Sequence, residues 1–244
     1  MVELRDVYCE YEKGNPVLKG ISLNIYDGES IGLVGANGAG KSTLMKAMLG
    51  LIPYTGDILV DGLRVEKSNY QAVRKSLGFV LQNSDNQMFM PTVKEDVMFG
   101  LLNYGMSSEE AEKKTDQVLS DLGISHLKER HNHRLSGGEK RMAAIAAVLA
   151  MDPSHILMDE PCSALDPRNR RVIINTVLGL DRTMIIASHD LDMILDTCKR
   201  TVILSEGKVV ADGPSSVLLT DRDLLESNGL ELPLRYYQSG PAGS

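Results

Sequence analysis

Ile31-Gly-Leu-Val-Gly35-Ala-Asn-Gly-Ala-Gly-Lys41-Ser42-Thr43 runs from a short apolar segment into the pattern GxxxxGK[ST]. The spacing predicts a buried strand over 31–34, a glycine-rich loop and a helix over 42–51, the setting in which this pattern cradles phosphate. Glycines let the backbone curl so that successive N–H groups face phosphate oxygens. The helix adds its positive N-terminal end. Lys41 supplies a point charge to the β- and γ-phosphates, and the Ser42 hydroxyl is a ligand for Mg²⁺. Gly35, Ala36, Asn37, Gly38, Ala39, Gly40, Lys41, Ser42 and Thr43 therefore read as a nucleoside-triphosphate site. A glycine-rich turn without a ligand is the plainer alternative, and the flanking strand and helix argue against it.

Around this stretch, short apolar runs alternate with longer helical segments, which predicts an α/β fold with a mainly parallel sheet. Residues 77–81, 155–159 and 184–187 have the continuous apolar character of strands covered on both faces. The first thirty residues differ. Residues 2–8 and 21–26 read as antiparallel strands, joined through Gly14-Asn15-Pro16 and closed by Asp27-Gly28. Residues 83–150 are mostly helical in pattern, punctuated by Pro91, Gly105 and Gly123, and read as a helical lobe inserted into the core. One nucleotide-binding domain over 1–235 is expected, with a disordered tail over 236–244.

Ile156-Leu-Met-Asp159-Glu160-Pro161 is an apolar strand ending in two acids. Beside a phosphate loop, Asp159 suits the role of holding magnesium through a water. Glu160 points to the other side and is placed to polarise an attacking water as general base. The plain reading of the pair is an acidic strand cap. His189, just after the strand predicted over 184–187, is placed to contact a γ-phosphate, although a lone histidine is more often structural.

Composition narrows the rest. The 244 residues are 43% hydrophobic and 24% charged, which allows a sizeable core. A net charge of −7 weighs against nucleic-acid binding, which needs a basic footprint. Cys9, Cys162 and Cys198 are far apart and odd in number, which fits a reducing compartment better than a disulfide framework. The start Met-Val-Glu-Leu-Arg-Asp does not read as a signal peptide. The longest apolar run, 143–151, is less than half the roughly 20 residues of a membrane helix. Any membrane role is therefore expected to come through a partner, without direct lipid insertion.

With Leu135-Ser-Gly-Gly-Glu139 added, the chain resembles the ATP-binding cassette family over nearly its full length. That resemblance implies a P-loop ATPase domain with an antiparallel β-subdomain and an inserted helical subdomain, and ATP and Mg²⁺ as cofactors. It implies that Tyr11 stacks on adenine. Gln82, after Gly78-Phe-Val-Leu, resembles the glutamine that joins Mg²⁺ to the transporter contact, beside Ser42 and Asp159 as metal residues. Ser163-Ala-Leu-Asp166 resembles the loop that crosses a dimer interface, and Ser188-His189-Asp190 the switch histidine. Lys41, Glu160 and His189 become the expected catalytic set.

In Leu135–Glu139 itself, Ser136 is a good N-cap, and Gly137 and Gly138 allow close backbone approach. Met142, Ile145, Ala146 and Leu149 then follow i, i+3, i+4, i+7, which predicts one buried helix face. The family places such a helix start, through Ser136, Gly137 and Gly138, on the ATP of a partner chain. A homodimer, or a heterodimer with a related ATPase, follows from the resemblance.

Gln82-Asn-Ser-Asp-Asn-Gln87, then Phe89, Pro91-Thr-Val93 and Glu95-Asp-Val97, resemble the ATPases of energy-coupling-factor importers. Gly138-Glu-Lys-Arg141, Ala143-Ala-Ile-Ala146, Leu195-Asp-Thr-Cys198 and Val209-Val-Ala-Asp-Gly-Pro214 look most like the cobalt or nickel type. Such a subunit would work with integral membrane subunits at the cytoplasmic face of the cell membrane. Ser84 stands where such proteins often carry proline, which predicts a looser turn after Gln82. Lys140 replaces a frequent glutamine. A vitamin importer with the same coupling module is the alternative, and a soluble cassette ATPase of DNA repair or translation is the rival from another class. A nucleotide-binding regulator without turnover is a further alternative, which Glu160 and His189 argue against. His126, His131 and His133 tempt as metal ligands, but their charged loop lacks a cysteine or acid pair at liganding spacing.

Overall fold

A computed structural model of the chain describes residues 1–12 and 14–239. It holds two compact units: Met1–Leu77 with the chain from Asp181 onward, and Gly78–Leu180.

The first unit begins with β1 (Val2–Glu12), β2 (Asn15–Ile25), β3 (Ser30–Val34), α1 (Lys41–Met48), β4 (Thr55–Val60), β5 (Leu63–Arg64) and α2 (Tyr70–Ser76). β1 pairs antiparallel with β2 on one side and β4 on the other, giving the order β2-β1-β4-β5. In β1 the buried residues are Val2, Leu4, Val7 and Cys9. That series breaks strict alternation once. The register shifts between Leu4 and Val7, where Asp6 takes a left-handed φ of 49°. The extra residue of this bulge keeps both halves of the strand facing the same core. The hairpin is longer than the sequence predicts, with pairing continuing out to Glu12 and Asn15.

The second unit follows with β6 (Leu77–Val80), α3 (Val93–Asn103), α4 (Ser108–Asp121), α5 (Gly137–Ala150), β7 (His155–Asp159) and α6 (Pro167–Leu178). β6 and β7 are neighbouring strands, and every residue of β7 is buried. The helical stretch expected over 83–150 lies inside this unit, which also takes in β7 and α6. One expectation fails here. α5 does not bury a single face: Arg141 to Ala146 are all buried without a break, whereas Leu149 is only half-buried. α3, α4 and α6 all pack against α5, so it is the unit's central helix, and periodicity gives way when neighbours cover most of the circumference.

The chain then returns as β8 (Thr183–Ala187), α7 (Leu191–Thr197), β9 (Arg200–Ser205), β10 (Lys208–Pro214), α8 (Ser215–Leu218) and α9 (Arg222–Ser227). β3 lies between β8 and β9 and runs parallel to both, while β10 closes the edge antiparallel to β9. Central position explains the apolar run of β3: Ile31, Leu33 and Val34 are at most 1% exposed.

The last described segment is a 3₁₀ stretch, Leu234–Ser239, so the tail expected over 236–244 starts with ordered backbone. Arg235 fastens it to α7, with Nε donating to Asp192 Oδ1 at 2.6 Å and Nη2 to Asp196 Oδ1 at 2.8 Å. The expectation for 240–244 falls outside the described residues. Among the described residues no helix is long and apolar enough to cross a membrane.

Candidate functional site

In the first unit, β3 delivers the loop 35–40 directly onto α1. Gly35 has φ 156°, and a Cβ there would lie 2.3 Å from Leu204 O on β9, so only glycine lets the loop leave the sheet at this point. Gly40 caps α1 with φ 107°, a left-handed position that delivers the helix N-terminus onto the loop. The loop is also braced from outside: Gly207 N donates to Ala39 O at 3.2 Å, and Lys19 N to Gly207 O at 2.8 Å.

Lys41 is buried, and its ammonium donates across the loop to Gly35 O at 2.6 Å and Ala36 O at 3.2 Å. The charge therefore sits over the cradle rather than in solvent. Ser42 is half-buried. The Tyr11 hydroxyl lies 3.3 Å from Thr43 Oγ1 while the residue stays 58% exposed, leaving ring surface beside the helix start for a flat base. His189 is exposed just beyond the C-terminal end of β8. Ser188 N donates to Leu33 O at 3.3 Å, so this turn sits level with the end of β3, on the same sheet edge as the phosphate loop. Asp190 then caps α7 by accepting from Met193 N at 2.9 Å.

The second unit holds the remaining candidates. Asp159 and Glu160, at the end of β7, are buried. Glu160 has φ 47°, a left-handed backbone rare outside glycine and a form of strain concentrated at working sites. Gln82 is exposed, but its backbone is not free. Arg141 of α5 donates to the carbonyls of Leu81 and Gln82. Gln87 spans the same gap, accepting from Leu81 N at 2.9 Å and donating to Ala144 O at 3.1 Å. The turn is firm despite Ser84: Met88 N donates to Ser84 O at 2.9 Å, and Lys140 pairs with Asp85. Arg141 and Gln87 stood in the sequence only within family-like segments, and their bracing role was missed. The signal for Arg141 was a charge beside the apolar run of a central helix, and Gln87, after the 3₁₀ turn 84–86, had none.

The start of α5 has the expected N-cap at Ser136, and Glu139 completes it as a capping box. Ser136 accepts from Glu139 N at 3.3 Å, and Glu139 accepts from Ser136 N at 2.8 Å. Those bonds, with Arg130 nearby, hold the Glu139 carboxyl below its ordinary pKa. Ser136 and Gly137 are exposed, leaving backbone N–H groups of an anion-binding helix end open to solvent. Gly138 is instead buried, and a Cβ there would lie 2.3 Å from Asn169 Cγ of α6. Asp166 caps α6 by accepting from the N–H groups of Arg168 and Asn169, both at 2.9 Å, which lowers its pKa.

The histidine loop makes no metal centre. His131 and His133 stack at 5.4 Å between centroids, and among the described residues no third ligand joins them. The residue between them, Asn132, is buried and structural.

Ser42 in the first unit offers a hydroxyl, and Asp159 and Gln82 in the second offer a carboxylate and an amide oxygen, each a hard oxygen donor of the kind Mg²⁺ takes. A phosphate-gripping loop with its lysine, plus a strand ending in two buried acids, defines a P-loop ATPase. The family model described as ABC transporter matches residues 18–163. An energy-coupling factor transporter ATP-binding protein of Methanothermobacter thermautotrophicus is 40% identical over 239 residues, covering 96% of this chain and 77% of that one. The structure of cbiO1 from Clostridium perfringens, described as part of the ABC transporter complex cbiONQ, matches with TM-score 0.83 and 34% identity over 93% of each chain. A dimeric post-hydrolysis state of the ATP-binding cassette MJ0796, bound to ADP and Pi, matches with TM-score 0.80 and 28% identity, covering 88% and 99%.

This chain belongs to the ABC transporter family. It is the ATP-hydrolysing subunit of an ABC transporter of the energy-coupling-factor type, using ATP with Mg²⁺.

Proposed function

We propose that two copies of this chain, or one copy and a related ATPase, sandwich ATP and drive an importer for cobalt or nickel ions. The choice of ion rests on the segments 138–141, 143–146, 195–198 and 209–214, and the likeness to cbiO1, part of the transporter complex cbiONQ, over 93% of both chains supports the importer reading. Gly35 to Thr43 grip the phosphates and Tyr11 stacks on the base. Glu160 takes the proton of the attacking water as it approaches the γ-phosphorus. Lys41 meets charge developing on the phosphoryl oxygens. His189 contacts the γ-phosphate. Ser136, Gly137 and Gly138 of the second copy close the site over the nucleotide. Ser42, Gln82 and Asp159 would hold Mg²⁺, which neutralises charge on the phosphate oxygens.

The chain works at the cytoplasmic face of the membrane, bound to integral subunits. Phe89 and Phe99 support a docking place beside Gln82: they are 62% and 41% exposed and meet edge to face with centroids 4.8 Å apart. An exposed aromatic pair of this kind suits a partner helix.

Glu160→Gln should lower ATP turnover by about 10²- to 10⁴-fold and trap an ATP-dependent dimer in size-exclusion chromatography. Wild-type turnover in that variant would remove Glu160 as base. The ion is tested by co-purifying membrane partners from the native cell and measuring uptake of labelled cobalt and nickel into proteoliposomes. ATP-driven uptake of a vitamin instead of either ion would transfer the chain to the alternative importer.

A further inference from the structure

Arg141 is 3% exposed, one turn inside α5, and burial holds its pKa below the ordinary arginine value. The hydrogen bonds of its guanidinium run to backbone carbonyls. One guanidinium donates to Leu81 O and Gln82 O, and through Nη2 to Glu160 O at 3.5 Å. A buried guanidinium directed onto three main-chain oxygens is a costly arrangement when exposed residues could bear the charge. Its gain is geometric, because a planar fork fixes two acceptors at once.

Those acceptors belong to two segments that the chemistry needs in register. The Gln82 side chain is exposed at the end of the strand–turn that follows β6. Glu160 sits at φ 47°, so its peptide leaves the line of β7 and turns a carbonyl toward α5. Ser163 N also donates to that carbonyl, at 3.1 Å. Strained backbone persists where its surroundings over-determine it, and Arg141 is one of the groups that do so.

We infer that Arg141 is a positioning residue for hydrolysis, setting Gln82 and Glu160 relative to each other through their carbonyls. The inference rests on the roles proposed above for Gln82 and Glu160. A displacement of about 1 Å at a reacting group can cost about 10²-fold in rate. An ammonium in place of the guanidinium keeps the charge but cannot span Leu81, Gln82 and Glu160 together.

The test compares Arg141→Lys and Arg141→Gln with wild type in the full-length protein. Both should reduce kcat about 10- to 100-fold, leave KM for ATP within about 3-fold, and raise the Mg²⁺ concentration needed for half-maximal turnover. Placing Arg141→Lys on Glu160→Gln should leave ATP-driven dimer formation intact, because the exposed start of α5 is unchanged. A merely structural role predicts otherwise: KM for ATP, dimer formation and melting temperature should deteriorate together, with the Mg²⁺ requirement unmoved. That pattern overturns the inference, as does unchanged kcat in both variants. If Arg141→Lys does not fold, the kcat and Mg²⁺ profile of Arg141→Gln decides by the same criteria, and failure of both to fold counts for the structural role. The parent reading fails separately, through full activity of Glu160→Gln alone.

Discussion

The Asn132 side chain donates to the buried carboxylate of Asp96, joining the loop before Ser136 to the first turn of α3. The other carboxylate oxygen accepts from Phe89 N and Met90 N, both at 3.1 Å. Asn132 also donates from its side chain to Met90 O at 2.6 Å and from its backbone to Pro91 O at 3.1 Å. The segment after Gln82 and the segment before the Leu135–Glu139 motif are therefore stitched into one body. Five hydrogen bonds thus tie Phe89, Met90, Pro91 and Asp96 to one another and to Asn132, in the loop that leads to Ser136.

Asp96 should carry a measurable share of the second unit's stability. Asp96→Ala strands two backbone N–H groups and the Asn132 amide, a loss of about 2–4 kcal/mol. Its titration has a definite sign. Burial is the largest influence and raises the pKa, against the pull of the Met90, Phe89 and Asn132 donors. Because the folded value lies above the unfolded one, the proton-linked stabilisation is fully present below the ordinary aspartate pKa. It is lost as pH rises through the raised folded value. Urea unfolding across that window should show wild type losing stability relative to Asp96→Asn as pH increases. A difference that stays flat with pH would contradict the assignment.

Gly138 offers a sharper test of why the motif needs its second glycine. The sequence reading assigned it to backbone approach toward a partner's nucleotide, yet the nearest obstacle is internal: the Asn169 amide, which itself donates to Asp166 Oδ2 at 2.6 Å. Gly138→Ala should cost about 1–3 kcal/mol from overpacking. Asn169→Ala should remove the obstruction, so the double variant should be less destabilised than the sum of the singles. Strict additivity in chemical denaturation would mean that Asn169 yields freely.

How much was legible in the sequence follows from the range of each interaction. The strand, loop and helix around Gly35–Ser42 are encoded within about twenty residues by local periodicity and glycines, and the structure has them with the helix ending at Met48. The capping box at Ser136 and Glu139 is likewise local. β4, β9 and β10 were not singled out as strands. Ile58-Leu-Val60 is an apolar run of only three residues, and its pairing with β1 lies more than fifty residues away. The burial of Arg141 and Asn132 was not legible because their partners, at 81–82 and 90–96, are distant in sequence. The bulge at Asp6 was invisible for a different reason: the strand read over 2–8 already ran through Asp6, and the extra residue shows only in the register with β2.

The thiols supply a prediction independent of nucleotide chemistry. Cys9, Cys162 and Cys198 are all buried thiols, and no disulfide joins them. Burial pushes the Cys198 thiol up to about 11 and raises that of Cys9 as well. At neutral pH about one Cys198 in 10⁴ would be thiolate, the reactive form. Native protein should therefore release almost no chromophore from Ellman's reagent over minutes, and denatured protein should release three equivalents, one per cysteine. One thiol reacting in the native state at the rate of a free cysteine would show that its cover opens readily.

Phe89 separates hydrolysis from coupling. Its backbone is pinned by Asp96, while its ring is 62% exposed against Phe99. Truncating an exposed ring costs the folded chain little, so Phe89→Ala should melt within a few degrees of wild type. Basal ATP turnover of the isolated chain should be unchanged, because the ring is mostly exposed, meets Phe99 edge to face, and neither phenylalanine has a proposed catalytic role. A central aromatic anchor at an interface often accounts for about 2 kcal/mol or more of binding, so co-purification with membrane subunits should fall at least about 10-fold. Transport should fall with it while hydrolysis continues. Phe99→Ala should have a milder form of the same effect, since that ring contacts a partner less and mainly props up Phe89. Loss of basal hydrolysis in Phe89→Ala would place the ring in the catalytic unit, and undiminished transport would move the docking surface elsewhere.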